Sequence, residues 1–329
     1  MKLHLEPENF KLAITSTSEA LGIKDLFIEK DYWVTYVLKQ LALSEFKDQV
    51  VFKGGTSLSK AYNLVNRFSE DIDLVLLNKV NLSGGQIKKL LGNIEDAIIC
   101  SPLETAKDFR PSKGSKIRKT GYTYPKILES YDYGHINESL IVELNAFANP
   151  SPIVKLPIES YIAKALLLQK RHDVISEYEL GPFDLNILNV SRTFTEKVLS
   201  LARISINDDA TFSNLQQKIR HFYDIHQILA SGTLKDFLGS VKFKDTVDLV
   251  IKDDLSNPEF KDDWRTGALK DVRLFKETDK IFDGLTTIFH GPFADMLYDD
   301  EKTKLTEIRK SFETLKSLVA DFKINGNKE

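Results

Sequence analysis

The sequence predicts a mixed α/β (α+β) domain with an N-terminal helical cap, followed by a mostly α-helical C-terminal domain. Three observations carry this reading. Apolar residues keep helical spacing through the first fifty positions, a strand, glycine turn, helix and second strand follow between Gln49 and Leu77, and helical spacing dominates beyond Asn149-Pro-Ser-Pro152.

The cap is read from Phe10 to Leu21, which Gly22 stops, and from Phe27 to Leu43, with Tyr32, Trp33, Tyr36, Val37 and Leu41 at helical spacing. Gln49-Val-Val-Phe-Lys53 is a short apolar run that ends in Gly54-Gly55-Thr56. A helix is expected from near Ser57, whose hydroxyl suits a helix start. Asp71-Ile-Asp-Leu-Val-Leu-Leu77 alternates carboxylate and apolar residues before turning wholly apolar, as a strand entering a buried sheet would. A helix over Gln86 to Cys100 and strands over Lys116 to Leu128 and Ser139 to Phe147 complete a mixed sheet. The domain boundary is expected near Pro157, dividing residues 1–157 from 158–329. The second part holds helices at Tyr161–Leu168, Thr193–Ile204, Ser213–Leu229 and Thr303–Phe322, and a strand at Phe183–Leu188.

A chain of 329 residues can bury a large core without staples, which excludes small disulfide scaffolds. Its 42% hydrophobic and 28% charged residues are those of an ordinary soluble protein. The single cysteine, Cys100, forbids an internal disulfide and a thiolate zinc cluster, so a reducing, cytoplasmic setting is expected. No signal-peptide core follows Met1 and no stretch reaches membrane-spanning length. The histidines show no His-x-x-x-His spacing, and neither a Walker loop nor a kinase signature occurs. A monomer is the simplest expectation.

Basic and acidic residues nearly balance at 45 and 48, but their distribution is uneven. Lys107, Arg110, Lys113, Lys116, Arg118, Lys119 and Lys126 stand against Asp108 alone. Such a strip can track a phosphate backbone, or it can be a solvated strand edge on which lysine discourages unwanted pairing.

The segment that carries chemistry is Phe52-Lys-Gly-Gly-Thr-Ser-Leu-Ser-Lys60 with Arg67-Phe-Ser-Glu-Asp-Ile-Asp-Leu74. Residues two apart in a strand project to one side, so Asp71 and Asp73 present two carboxylates together. Like charges held that close need a cation, and magnesium carrying a substrate's phosphates is the economical one. Gly54 and Gly55 allow a ligand to approach the backbone, and Thr56 or Ser57 adds a hydroxyl near a helix start that favours anions. A helix cap beside an exposed strand end would use the same residue types. Together the turn and the carboxylates form a phosphate cradle beside a metal site, the equipment of phosphoryl or nucleotidyl transfer.

Strand, Gly-Gly-Thr-Ser, helix and Asp-x-Asp resemble the nucleotidyltransferase (polymerase β-like) superfamily, and the two segments are especially similar to the AbiEii abortive-infection toxins. Glu29-Lys-Asp-Tyr-Trp33, Arg192-Thr-Phe-Thr-Glu-Lys197 and Lys218-Ile-Arg-His-Phe-Tyr-Asp224 resemble further motifs of that family, in the same order. His221 stands where many relatives have an acid, and no copy of the family's last Asp-x-x-x-x-Lys motif is assigned beyond residue 229. The resemblance implies a minimal nucleotidyltransferase core, a helical domain that completes the active-site cleft, a nucleoside triphosphate donor, Mg²⁺ or Mn²⁺, and a separate antitoxin. Some relatives extend tRNA, so RNA, and tRNA in particular, is the expected acceptor. Protein nucleotidylation, or nucleotide binding without turnover in a regulator, are the alternatives.

Carried over, Asp71 and Asp73 hold the metal, Lys197 meets the phosphates, and Asp224 positions them or acts on the acceptor. Gly54, Gly55, Thr56, Ser57, Lys60 and Arg220 form the nucleotide-binding set. Glu143, inside the apolar run Leu140 to Phe147, is the candidate third carboxylate, unless it pairs with Arg118 or Lys126 across the sheet. Lys197 could equally be a surface lysine or a partner of Glu196. Arg220 and Asp224, four apart on a helix, could form an ion pair, while Phe222 and Tyr223 suit a core. Glu29, Lys30 and Asp31 read as structural.

Overall fold

The structure is a computed structural model that describes residues 1–69, 71–77, 81–128, 138–255, 267–298, 301–319 and 323–324. It divides into two compact units, Met1–Leu188 with Leu297–Glu301, and Asn189–Met296 with Lys302–Glu329.

In the first unit the order is α1 (Pro7–Leu21), α2 (Asp25–Leu43), β1 (Val50–Lys53), α3 (Gly54–Lys60), β2 (Asp71–Leu76) and α4 (Gly84–Ile98). Then come β3 (Glu104–Thr105), β4 (Ser112–Lys113), β5 (Ile117–Thr123), β6 (Leu140–Asn145), β7 (Ile153–Ile158), α5 (Tyr161–Leu168), α6 (His172–Glu177) and β8 (Phe183–Leu188). The strands make one mixed sheet in the order β3-β5-β6-β2-β1-β8-β7, with β4 beside β5. The β2–β6 and β1–β8 pairings are parallel and the others antiparallel.

Side-chain alternation decides what each sheet face carries. Ile72, Leu74, Leu76, Leu140, Val142 and Leu144 join the main core with residues of α2 and α4, whereas Asp71, Asp73 and Glu143 occupy the intervening half-buried positions. The α2 helix is more than a cap. Residues 26–38 of it are buried without interruption, as expected of a helix surrounded by protein. Its Trp33 ring meets Tyr32, Tyr36 and Tyr124. Glu29, Lys30 and Asp31 are therefore interior residues.

Several boundaries differ from the sequence expectation. The α3 helix begins at Gly54 itself, so the glycine pair forms its first turn and does not precede it. The expected break near Pro157 falls inside β7, which pairs with β8 from Ile153↔Leu188 to Ile158↔Phe183 and keeps both strands in the first sheet. Proline is tolerated there because β7 stands last in the strand order. The α4 helix starts early because Ser83 and Gln86 form a reciprocal capping box.

The second unit holds α7 (Val190–Ile206), α8 (Ser213–Gln216), α9 (Ile219–Ala230), α10 (Val241–Leu255), β9 (Gly267–Ala268), α11 (Arg273–Lys276), α12 (Thr278–His290), α13 (Leu305–Leu318) and β10 (Lys323–Ile324). The helix expected over Ser213–Leu229 is broken between α8 and α9, while the Asp208 carboxylate accepts from the Asn214 and Leu215 backbone at the start of α8. Phe222, Phe282 and Phe312 form the aromatic centre of this unit. The expected tail-helix end at Phe322 lies outside the described residues. Among the described residues, no helix is long and apolar enough to cross a membrane.

Candidate active site

The turn from β1 into α3 is shaped by what lies against it. Gly54 adopts φ +81°, and a Cβ on it would collide with Asp73 Oδ2. Only glycine lets the Asp73 carboxylate rest on the backbone there. A Cβ on Gly55 would meet the Arg67 guanidinium and Ser69 Oγ. Arg67 is buried and donates from Nη1 to the Phe68 carbonyl at 2.9 Å. Thr56 Oγ1 donates to the Asp71 carbonyl at 2.5 Å and lies 2.9 Å from Ser69 Oγ. Ser57, fully buried, donates to the Gly54 carbonyl at 2.9 Å. These contacts lock the glycine turn and the head of β2 into one assembly.

Strand register builds the acidic group. Lys53 opposes Asp73 across β1–β2, Asp73 opposes Glu143 across β2–β6, and Glu143 opposes Lys119 across β5–β6. Directly opposed residues share a face, so a row Lys53, Asp73, Glu143, Lys119 crosses four neighbouring strands, with Asp71 two residues along β2. Lys119 Nζ lies 3.2 Å from Glu143 Oε2, and Asn145 Nδ2 donates to Glu143 Oε1 at 3.3 Å. Burial opposes the charge on Lys119, but Glu143, Asp71 and Asp73 outweigh it and raise the ammonium above the ordinary lysine value. Glu143 thus pairs with neither of the two cations foreseen for it. Arg118, on the other face of β5, pairs with Glu95 of α4, and Lys126 lies 2.6 Å from Glu138.

Lys60 turns away from the carboxylate row. Its Nζ is 2.5 Å from Asp31 Oδ1, Asp31 Oδ2 accepts from the Tyr161 backbone at 2.8 Å, and both side chains are buried. Burial lowers the Lys60 ammonium below the ordinary lysine value, against the pull of Asp31. Glu29 Oε1 accepts from the Ile127 backbone at 2.6 Å, and burial pushes its carboxyl up to about 7. The Glu29-Lys-Asp motif therefore works inside the fold, as its reading as structural expects.

In the second unit, Lys197 Nζ lies 2.9 Å from Asp224 Oδ2, with Asp224 fully buried. Asp224 thus pairs with Lys197, while Glu196 pairs with Arg192 at 3.0 Å. Two residues singled out separately in the sequence are one pair. Arg220 is half-buried on α9, and Phe222 and Tyr223 are core residues.

Of the basic strip, Arg118, Lys119 and Lys126 are neutralised by the carboxylates named above. Lys107, Arg110 and Lys113 are exposed beside the β4 edge. Sequence reasoning placed Lys119 in this strip and missed its attachment to Glu143, because only strand register pairs residues so far apart.

Among the described residues, no group of three or more His, Cys, Asp or Glu side chains is set to hold a metal by itself. The donors nevertheless suit a hard cation. Asp71 and Asp73 offer adjacent carboxylate oxygens, and magnesium is commonly held by one or two carboxylates with substrate phosphates completing its shell.

The family model for "Nucleotidyl transferase AbiEii toxin, Type IV TA system" matches residues 36–310. No curated protein matches the chain. Among solved structures, JHP933 from Helicobacter pylori is 16% identical with a TM-score of 0.45, covering 91% of this chain and 94% of its own. MenT4, a nucleotidyltransferase toxin from Mycobacterium tuberculosis, is 15% identical with a TM-score of 0.47, covering 93% and 98%.

Proposed function

The chain belongs to the AbiEii nucleotidyl transferase toxin family of type IV toxin–antitoxin systems, and from that premise we propose that it transfers a nucleoside monophosphate from a nucleoside triphosphate to an RNA acceptor in the cytoplasm, tRNA being the leading candidate. The observation that carries this reading is the Asp71, Asp73 and Glu143 group beside the Gly54 turn. In the reaction an acceptor hydroxyl loses its proton and its oxygen attacks the α-phosphorus. The bond from that phosphorus to the β-phosphate oxygen breaks, and pyrophosphate leaves. A bound Mg²⁺ or Mn²⁺, held by Asp71 and Asp73, would supply Lewis-acid neutralisation of the phosphate oxygens.

The protein's own contribution is positioning and charge. Gly54 and Gly55 let the triphosphate lie against the backbone, and Arg67 and Thr56 brace the turn from behind. Glu143 has both carboxylate oxygens engaged, so in this reading it is the reserve ligand and Asp71 and Asp73 the primary pair. Lys197 and Asp224 pair with each other in the second unit, and the roles at phosphate and acceptor proposed for them rest on the family resemblance. Arg220 is assigned to the nucleotide, whereas Lys60, tied to Asp31, supports the helix. The exposed Lys107, Arg110 and Lys113 offer a phosphate footprint for the acceptor, which positions a nucleic acid without reading its bases.

Purified chain and an Asp71→Asn/Asp73→Asn variant are incubated with Mg²⁺, each α-labelled nucleoside triphosphate, total RNA and cell protein. Label in a tRNA-sized band that depends on the aspartates is the expected result. Label in protein would replace RNA as acceptor, and tight triphosphate binding without label would leave a nucleotide-binding regulator.

A further inference from the structure

Glu143 holds a cation of its own within the acidic row. Its Oε2 faces Lys119 Nζ at 3.2 Å and its Oε1 faces Asn145 Nδ2 at 3.3 Å. A divalent ion that recruits Glu143 must therefore break the Lys119 contact first. The pairing is not an accident of a floppy surface chain. Lys119 sits on β5 in direct register with Glu143, which sits in direct register with Asp73. The adjacent residues on β5 point elsewhere: Arg118 is tied to Glu95 on α4, and Thr120 is fully buried. Alternation along β5 thus delivers the Lys119 ammonium to the carboxylate face, which Lys53 of β1 shares. Glu143 holds it by direct contact, and its side chain remains 40% exposed.

We propose that Lys119 is a built-in competitor for the divalent cation. It neutralises Glu143 while no substrate is bound and yields it only when triphosphate brings the cation with it. This rests on the reading that Asp71 and Asp73 hold a metal. The consequence is coupling: free Mg²⁺ binds weakly to the resting chain, and nucleotide and metal enter together. Lys119 is a positioning residue under this scheme, because it acts through Glu143 and touches no reacting atom.

The test is Mn²⁺ binding without nucleotide, followed by electron paramagnetic resonance of the free ion and by calorimetry. Lys119→Met should bind Mn²⁺ roughly tenfold more tightly than wild type, since a unit charge a few ångströms from a divalent ion is removed from a half-exposed site. Lys119→Arg, which keeps the charge, should restore the wild-type affinity, and ATP should tighten Mn²⁺ binding more in wild type than in Lys119→Met. Should Lys119→Met be poorly folded by circular dichroism, Lys119→Gln replaces it in each arm. Mn²⁺ affinity that is unchanged or lower in the neutral variants overturns the proposal. Asp73→Asn distinguishes the failures. If it lowers Mn²⁺ affinity while the neutral Lys119 variants leave it unchanged, the metal reading stands and the competition falls. If Asp73→Asn changes nothing, the metal reading itself falls and takes the competition with it.

Discussion

Two lysine–carboxylate pairs in the first unit look alike on paper and do opposite work. Lys60 and Asp31 are both buried, and the second Asp31 oxygen is satisfied by the Tyr161 backbone, so this pair is sealed inside the fold. Lys119 and Glu143 are half-exposed and lie in a row with Asp73 and Lys53, so that pair borders the other charges of the sheet face. Lys60 belongs to the glycine-led motif and Lys119 does not. Membership of a motif therefore does not tell where a lysine's ammonium goes; its surroundings do. A desolvated pair is rigid and costly to break, whereas a half-exposed one beside further carboxylates can exchange partners.

The sharpest way to separate the two regions is to remove one charge from each. Asp73→Asn should lower nucleotidyl transfer by a factor on the order of 10³ or more, equivalent to about 4 kcal/mol of barrier, while the melting temperature holds. A variant that retains transfer would move the chemistry away from the acidic row. Lys60→Ala leaves the Asp31 carboxylate buried without its cation, and urea unfolding should show a loss of about 3–5 kcal/mol. Lys119→Ala should cost less than about 1 kcal/mol in the same experiment, because its pair is half-exposed. Equal losses would erase the contrast.

Glu29 sharpens the comparison from the same helix as Asp31, because the acid is buried and burial dominates its titration. Its folded value of about 7 lies above the ordinary 4.5. Between those values the folded chain keeps a proton that the unfolded chain releases, so this group's contribution to stability falls as pH rises from 4.5 to 7. Glu29→Gln should therefore gain about 3 kcal/mol at pH 8 and nothing near pH 4, read from urea midpoints at the two pH values. A gain at both would mean that the charge is not the cause. The smallest effect is expected at the exposed strip. Replacing Lys107, Arg110 and Lys113 with alanine should weaken RNA binding and flatten its log–log salt dependence by about 2, the value for three lost single-strand phosphate contacts. Thermal stability should not move.

Much of the first unit was legible because its signals are local. The alternation of Asp71-Ile-Asp-Leu marks β2, the apolar run to Lys53 marks β1, and the Gly-Gly-Thr-Ser segment marks the tight entry into α3. The β7 strand was not legible, since Pro157 and the Asn-Pro-Ser-Pro punctuation speak against a strand and only pairing with β8 supplies its hydrogen bonds. The break between α8 and α9 was also hidden, because helical spacing of apolar residues continues across it.

By itself the sequence determined the adjacency of Asp71 and Asp73, the glycine turn before them and the family to which these motifs point, because each depends on residues close along the chain and on the two-residue period of a strand. Tertiary structure alone decided which charges meet. It sent Lys60 to Asp31, joined Lys197 to Asp224, and brought Lys119 to Glu143. Those choices follow from strand register and helix packing, which bring together residues far apart in the chain, and from burial, which makes each ammonium accept the nearest carboxylate that the fold places within reach.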